Sequence, residues 1–425
     1  MRAHLDAAPG APVSDPAGIE KSLKTRRFRC RALPRQPYRG QCPNSPLLRP
    51  PAALQLRACA ITRILADVNP GSNNARGRGA ADNPANRFEA LHLERDEEWN
   101  PEEDPALTTK FYRDHSASIL NYNDSPDIGF EASLNPYRGC EHGCIYCYAR
   151  PTHEYLGFSA GLDFESRIMV KENAPALLRA ELSSRKWKPQ VVAMSGVTDC
   201  YQPVERKLRL TRRCLEVFAE FRNPVGIVTK NHLVTRDVDL LAELAKHNAV
   251  VVFISLTTLD ASLAARLEPR ASLPAHRLAA IRTLAAAGIP VGVMTAPMIP
   301  ALNDHELPSL IAAAVDAGAQ FAGYVVLRLP HGLGPLFEEW LLRHFPERRE
   351  KVLNQLKSMR GGRVNDPNFG SRMRGEGIVA EQIAALFATA CRKAGIAGKR
   401  PQLSASAFCV PRGAEAGSRQ GELPL

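Results

Sequence analysis

Three cysteines, Cys140, Cys144 and Cys147, stand close together in the run Asn135-Pro136-Tyr137-Arg138-Gly139-Cys140-Glu141-His142-Gly143-Cys144-Ile145-Tyr146-Cys147. The spacing is Cys-x3-Cys-x2-Cys, and the two glycines inside the run let such a loop fold tightly. Three thiolates can ligate three irons of a [4Fe–4S] cube, whereas an electron-transfer cluster usually takes four. Three ligands leave one iron open, and an open coordination position marks a catalytic metal site. The remaining cysteines (Cys30, Cys42, Cys59, Cys200, Cys214, Cys391 and Cys409) are scattered. In a chain of 425 residues, that pattern favours metal binding in a reducing compartment over a disulfide framework. Two competing readings of the loop stay open. A zinc site would use the three cysteines with His142 or His153, at a spacing that suits common zinc modules poorly. A thioredoxin-like pair at Cys144 and Cys147 would leave Cys140 unexplained.

Such a loop needs a frame to hold it. From about residue 131, short apolar runs alternate with helical periods, the pattern of repeated β/α units on a parallel sheet. The expected strands are Ala132–Tyr137, Val191–Ser195, Val225–Thr229, Val250–Leu256, Pro290–Thr295 and Phe321–Leu327. Between them, Leu208, Thr211, Leu215, Phe218 and Phe221 fall on one helical face, as do Leu240, Leu241 and Leu244, and Leu278, Ile281 and Leu284. Gly288 ends the last of these helices, and Lys246-His247-Asn248 ends the one before. Six strands are too few for a closed eight-unit barrel. The expected fold class is α/β, a partial (β/α)6 barrel with its chemistry at the C-terminal ends of the strands. The expected organisation is a basic, Pro/Ala/Arg-rich and disordered extension over 1–75, a preamble packing on the core over 76–130, the barrel over 131–330, and a helical extension with a flexible tail over 331–425.

The net charge of +11 suggests nucleic acid until it is located. Residues 1–80 hold 14 basic and 4 acidic residues, which is +10 and leaves +1 for the rest. The basicity belongs to the extension, so it gives the body no phosphate-binding footprint. No run of about 18 apolar residues is present, so no membrane span is expected. Nor does the N-terminus carry an unbroken apolar h-region. The expected location is cytoplasmic.

The run NPYRGCEHGCIYCYAR (135–150), placed after the first strand, resembles the radical S-adenosylmethionine superfamily. With TDCYQP (198–203), LEPR (267–270) and APMIPALND (296–304), it resembles the spore photoproduct lyase-like branch. RGRGAADNPANRFE (76–89) and RGGRVNDPNFG (360–370) further resemble a bacterial subgroup of that branch labelled DNA repair photolyase-related. The resemblance implies a [4Fe–4S] cluster on the three cysteines, with S-adenosyl-L-methionine on the unique iron. It implies reductive cleavage to methionine and a 5′-deoxyadenosyl radical, fed by a one-electron reductant such as flavodoxin or ferredoxin. It also points to residues that hold the cofactor. Tyr146 precedes the last cysteine. Asp199, or the Ser195–Gly196 backbone, suits the cofactor's ammonium, although the superfamily's common Gly-Gly-Glu is absent here. Ser255 and Thr257 suit its ribose, and Arg270 its carboxylate. The stretch from Met294 to Pro300 would wall the adenine.

Lyases of this kind split a thymine dimer with a cysteine as hydrogen donor, and Cys200 and Cys409 are the candidates for that part, with Cys200 the catalytic one. The principal reading is a radical enzyme acting on an unidentified substrate. The alternatives are lyase-like repair or modification of nucleic acid, and a non-catalytic iron–sulfur or zinc protein.

Overall fold

The run Val-Val-Val-Phe-Ile-Ser at 250–255 has no polar face to offer water, so it can only be an interior strand. In the computed structural model it lies inside a seven-stranded sheet. The structure describes residues 77–88, 107–399 and 401–411, together with the backbone of two paired strands, β1 (Arg29–Ala32) and β2 (Leu91–Glu94). The disordered extension expected over 1–75 otherwise lies outside the described residues.

The central sheet contains β4 (Leu120–Tyr122), β5 (Ala132–Leu134), β8 (Val192–Met194), β9 (Val225–Thr229), β10 (Val250–Ser255), β11 (Val291–Met298) and β12 (Phe321–Val326). Their order is β12-β11-β10-β9-β8-β5-β4. From β5 to β12 every neighbouring pair is parallel, and only β4 at the edge runs antiparallel. Six parallel strands in chain order, joined by helices, make the expected partial barrel. Among the described strands β12 does not pair with β4 or β5, so the barrel is open. The outer wall includes the helices Ala174–Leu182, Leu210–Phe221, Val238–Ala245, Pro274–Ala286 and Leu307–Asp316. Their buried residues, such as Leu215, Phe218, Leu244, Ile281 and Leu284, join the strand interiors in one core. At the bottom of the barrel Phe253 lies over Gly292, where a Cβ would come within 2.8 Å of its ring.

Two expectations are corrected here. The first strand does not run to Tyr137. Pro136 cannot donate to a ladder, and Asn135 turns its side chain to accept from Val197 N at 2.9 Å. Tyr137–Arg138 then leaves as β6 and joins a small second sheet with β3 (Lys110–Arg113) and β7 (Arg167–Val170). The second correction concerns Leu208, which does not share the face of Thr211 and Phe218. Arg209 has φ +51° and divides a short helix, Glu205–Leu208, from Leu210–Phe221. Leu208 is consequently exposed.

After β12 come the helices Leu333–His344, Arg349–Ser358 and Ile378–Lys393. Residues 401–411 return along the outer wall, where Ser404 N donates to Asn248 O and Cys409 N to Phe221 O.

Candidate active site

A cavity of about 550 Å³ opens at the C-terminal ends of the parallel strands. The cysteine loop supplies one side of it, with Cys140, Cys144 and Cys147 all in the lining. The loop is held from behind. Cys140 N donates to Phe164 O at 2.9 Å, and Ile145 N donates to Leu267 O at 3.1 Å. Arg150, fully buried beneath the loop, donates to Cys144 O at 2.9 Å and pairs with the buried Glu165. Glu165 also accepts from Gly79 N and Ala80 N, so residues 77–80 are pinned to the loop. Gly143, at φ +68°, leaves no room for a Cβ, which would stand 2.7 Å from Glu165 Oε2. The glycine spacing read from the sequence therefore has a steric cause.

The strand ends bring the other side chains in. After β8, Ser195 (φ +72°), Gly196 and Asp199 line the cavity. Asp199 is heavily engaged. It accepts from Thr229 Oγ1 at 2.8 Å, Lys230 N at 2.8 Å and Tyr201 N at 2.9 Å, with His142 Nδ1 3.3 Å away in an ion-pair contact. Burial alone would raise its pKa; His142 and the backbone donors outweigh that and hold the carboxyl at about 2. After β9, Lys230 reaches into the cavity, donates to Ser255 Oγ at 2.9 Å and stands 5.8 Å from the Tyr146 ring centre. Ser255, at the end of β10, lines the same wall. Tyr146 is buried and donates its hydroxyl to Glu268.

Glu268 is a residue the sequence reading passed over. It accepts from Tyr146, from Thr257 Oγ1 at 2.7 Å and from the buried Arg277, which also donates to Ser255 O at 3.0 Å. Burial pushes its pKa up, but Arg277 and Lys230 overcome this and hold it at about 2. Glu268 and Arg277 are thus a buried strut under Tyr146 and β10. Lys230 is the other omission. Its place directly after the C-terminal end of β9 was the available signal.

Five of the named residues go elsewhere. Thr257 is fully buried, with its hydroxyl committed to Glu268 and Ala296 O, and it is outside the cavity lining. Arg270 faces the opposite side of the cysteine loop. There it pairs with Glu141 at 3.1 Å and lines a separate cavity of about 530 Å³. Cys200 has no exposed surface and is outside the lining, and burial holds its thiol pKa well above the ordinary value. Cys409, on the outer wall beside Phe221, is exposed and equally remote. His153 is also outside the lining; its Nε2 lies 2.9 Å from Arg167 O, and burial lowers its pKa to about 4.

An open parallel barrel with a three-cysteine loop after its first strand defines a class, and the comparisons agree. The sequence profile of the radical SAM superfamily matches residues 134–314. This chain belongs to that superfamily and is an enzyme. Among its relatives, Rv2578c of Mycobacterium tuberculosis is 36% identical over 263 residues, covering 61% of this chain and 75% of that one. MJ0683 of Methanocaldococcus jannaschii is 30% identical over 227 residues, covering 53% and 81%. Of solved structures, a spore photoproduct lyase complexed with dinucleoside spore photoproduct matches with a TM-score of 0.50 and 16% identity, over 67% of this chain and 79% of that one. That likeness is one of fold.

The superfamily implies a [4Fe–4S] cluster and S-adenosylmethionine, and the residues present fit both. The three thiols are free and line one cavity. Burial raises the pKa of each, so each needs a positive partner to become a thiolate. Iron supplies that charge. Among the described residues no three His, Cys, Asp or Glu side chains converge as ligands of a single ion. A cube takes each thiolate on a different iron and asks for no such convergence.

Proposed function

We propose that this enzyme cleaves S-adenosylmethionine reductively and uses the resulting radical to take hydrogen from a substrate bound in the same cavity. The observation that carries the reading is the shared lining: the three cysteines and the ends of the parallel strands face one space. When bound, the cluster with S-adenosylmethionine on its open iron supplies one-electron cleavage of the sulfonium to methionine and a 5′-deoxyadenosyl radical. Cys140, Cys144 and Cys147 hold the iron. Asp199 already accepts three hydrogen bonds, and we assign the cofactor's ammonium to the Ser195–Gly196 backbone beside it. Lys230, whose hydrogen bond goes to the neutral Ser255, pairs with its carboxylate. Tyr146 and Ser255 wall the same end, fixed from below by Glu268 and Arg277. The electron comes from a one-electron reductant such as flavodoxin or ferredoxin. No helix among the described residues is long and apolar enough to cross a membrane, and we place the enzyme in the cytoplasm.

A lyase-like reaction with a cysteine as hydrogen donor is supported less well. Among the described residues that line the cavity, the only cysteines are the three of the loop.

The test is anaerobic. The reconstituted full chain, given reductant and S-adenosylmethionine, is expected to release 5′-deoxyadenosine. A Cys144→Ala variant is expected to lose the iron–sulfur absorbance and the cleavage together. A fully loaded sample that yields no 5′-deoxyadenosine defeats the proposal, and cleavage retained by Cys144→Ala defeats the ligand assignment.

A further inference from the structure

The wall of the cavity that follows β12 carries arginines, and their charges are not balanced. Arg328 follows β12 and lines the cavity. Its guanidinium lies 5.9 Å from the Tyr148 ring centre, and its one hydrogen bond goes to a thioether, Met373 Sδ, at 3.4 Å. Its Nε is buried with no partner. Arg374, in the short helix Ser371–Arg374, lines the mouth and stacks 4.1 Å from the Tyr324 ring centre. Neither arginine has a carboxylate within ion-pair distance among the described residues.

The nearest candidate, Asp127, is already engaged: Arg372 holds both of its oxygens, with Nε at 2.7 Å from Oδ2, and Gly370 N donates to Oδ2 at 3.1 Å. Burial and then the neighbouring charge of Arg372 pull the Arg328 pKa below its ordinary value, and Tyr148 and Asp127 offset only part of that. A half-buried guanidinium among its own kind, with unused donors facing a cavity, lacks an anion.

We propose that Arg328 and Arg374 bind a phosphate group of the substrate. Two guanidiniums on separate elements ask for an acceptor with more than two oxygens and up to two negative charges. A carboxylate fills one planar fork and leaves the other unmet. The cofactor does not meet the need, since its single carboxylate is assigned to Lys230. The assignment rests on the radical reading for that division of the cavity. Two sources share the chemistry, a small phosphate ester and the phosphodiester backbone of nucleic acid.

The full chain, with cluster and S-adenosylmethionine bound, is titrated with inorganic pyrophosphate by calorimetry and with a labelled single-stranded oligodeoxynucleotide by fluorescence anisotropy. Arg328→Gln and Arg374→Gln are each expected to weaken pyrophosphate binding at least tenfold. Arg213→Gln, an exposed arginine on the outer helix, is expected to leave it unchanged, and Arg328→Lys to fall between. The same loss with the oligonucleotide assigns the phosphate to nucleic acid; oligonucleotide binding that ignores both variants assigns it to a small ester. The site is overturned if wild type binds neither probe, if all three glutamine variants weaken binding alike, or if malonate binds as tightly as pyrophosphate and is lost in the same variants. Arg374 is exposed, so its variant stays folded should Arg328→Gln not. Measuring 5′-deoxyadenosine on the same samples keeps the two readings apart. Its absence beside intact pyrophosphate binding defeats the radical reading and leaves the anion site standing.

Discussion

At the scale of single residues, the most consequential contact is one that touches no substrate. Glu268 is buried and takes Arg277, Tyr146 and Thr257 on its two oxygens. Removing its charge leaves the Arg277 guanidinium buried and uncompensated. Glu268→Gln is expected to destabilise the fold by about 3–5 kcal/mol, the usual cost of breaking a buried pair from one side, read as a lower urea midpoint. The sign of the pH effect follows from the depressed pKa. Folded Glu268 titrates at about 2 against an ordinary 4.5, so its contribution is complete above about pH 4.5 and fades as pH falls towards 2. Wild type should lose stability across that window more steeply than Glu268→Gln, which has no such proton to bind. Equal slopes in the two proteins would mean that Glu268 is not the anchor.

The elements show how a run of residues can be legible while its neighbours are not. The parallel strands were plain in the sequence because strands buried on both faces leave nearly continuous apolar runs, such as Val250–Ser255. The cysteine loop was plain because thiols and glycines at fixed spacing have few structural uses. What escaped was whatever depended on direction. Arg270 and Glu268 lie two residues apart in the same Leu-Glu-Pro-Arg word, yet Glu268 points under Tyr146 and Arg270 points to the back of the loop. Nothing in a linear word fixes which of two charged side chains turns inward. Leu208 failed for a related reason, because the helical period was continued across Arg209, whose left-handed backbone restarts the phase. A side chain at such a position costs roughly 1–2 kcal/mol, and glycine avoids it at some cost in unfolded-chain entropy. Arg209→Gly is therefore expected to raise stability by about 0.5–1 kcal/mol, seen as a higher urea midpoint at an unchanged slope.

Across the whole molecule, charge is divided by location. Of the net +11, the first 80 residues carry +10, and the cationic mouth of the cavity is a local arrangement inside a nearly neutral body. No total could have revealed it, because Arg328, Arg372 and Arg374 are averaged away among the acids of the outer helices. The mouth also joins distant parts of the chain, since Asp127 lies 245 positions from Arg372. Asp127→Ala is expected to free the 360–377 segment, giving faster hydrogen exchange there while Val225–Thr229 and Val250–Ser255 keep their protection. Uniform acceleration across the sheet would instead make the contact part of the global fold.

That contact has a further consequence. In a closed barrel, hydrogen-bonded backbone completes the ring, and its girth is fixed by strand number and stagger. Here Asp127 and Arg372 reach towards each other across the unpaired side of an open sheet, so part of the rim is carried by side chains. Its girth becomes a property of two short segments, 127–130 and 370–374. Insertions or exchanges there would resize the entrance for a bulkier or slimmer guest without altering the strands that seat the cysteine loop. The strands that seat the cysteine loop and the segments that set the entrance are, in this architecture, separately editable.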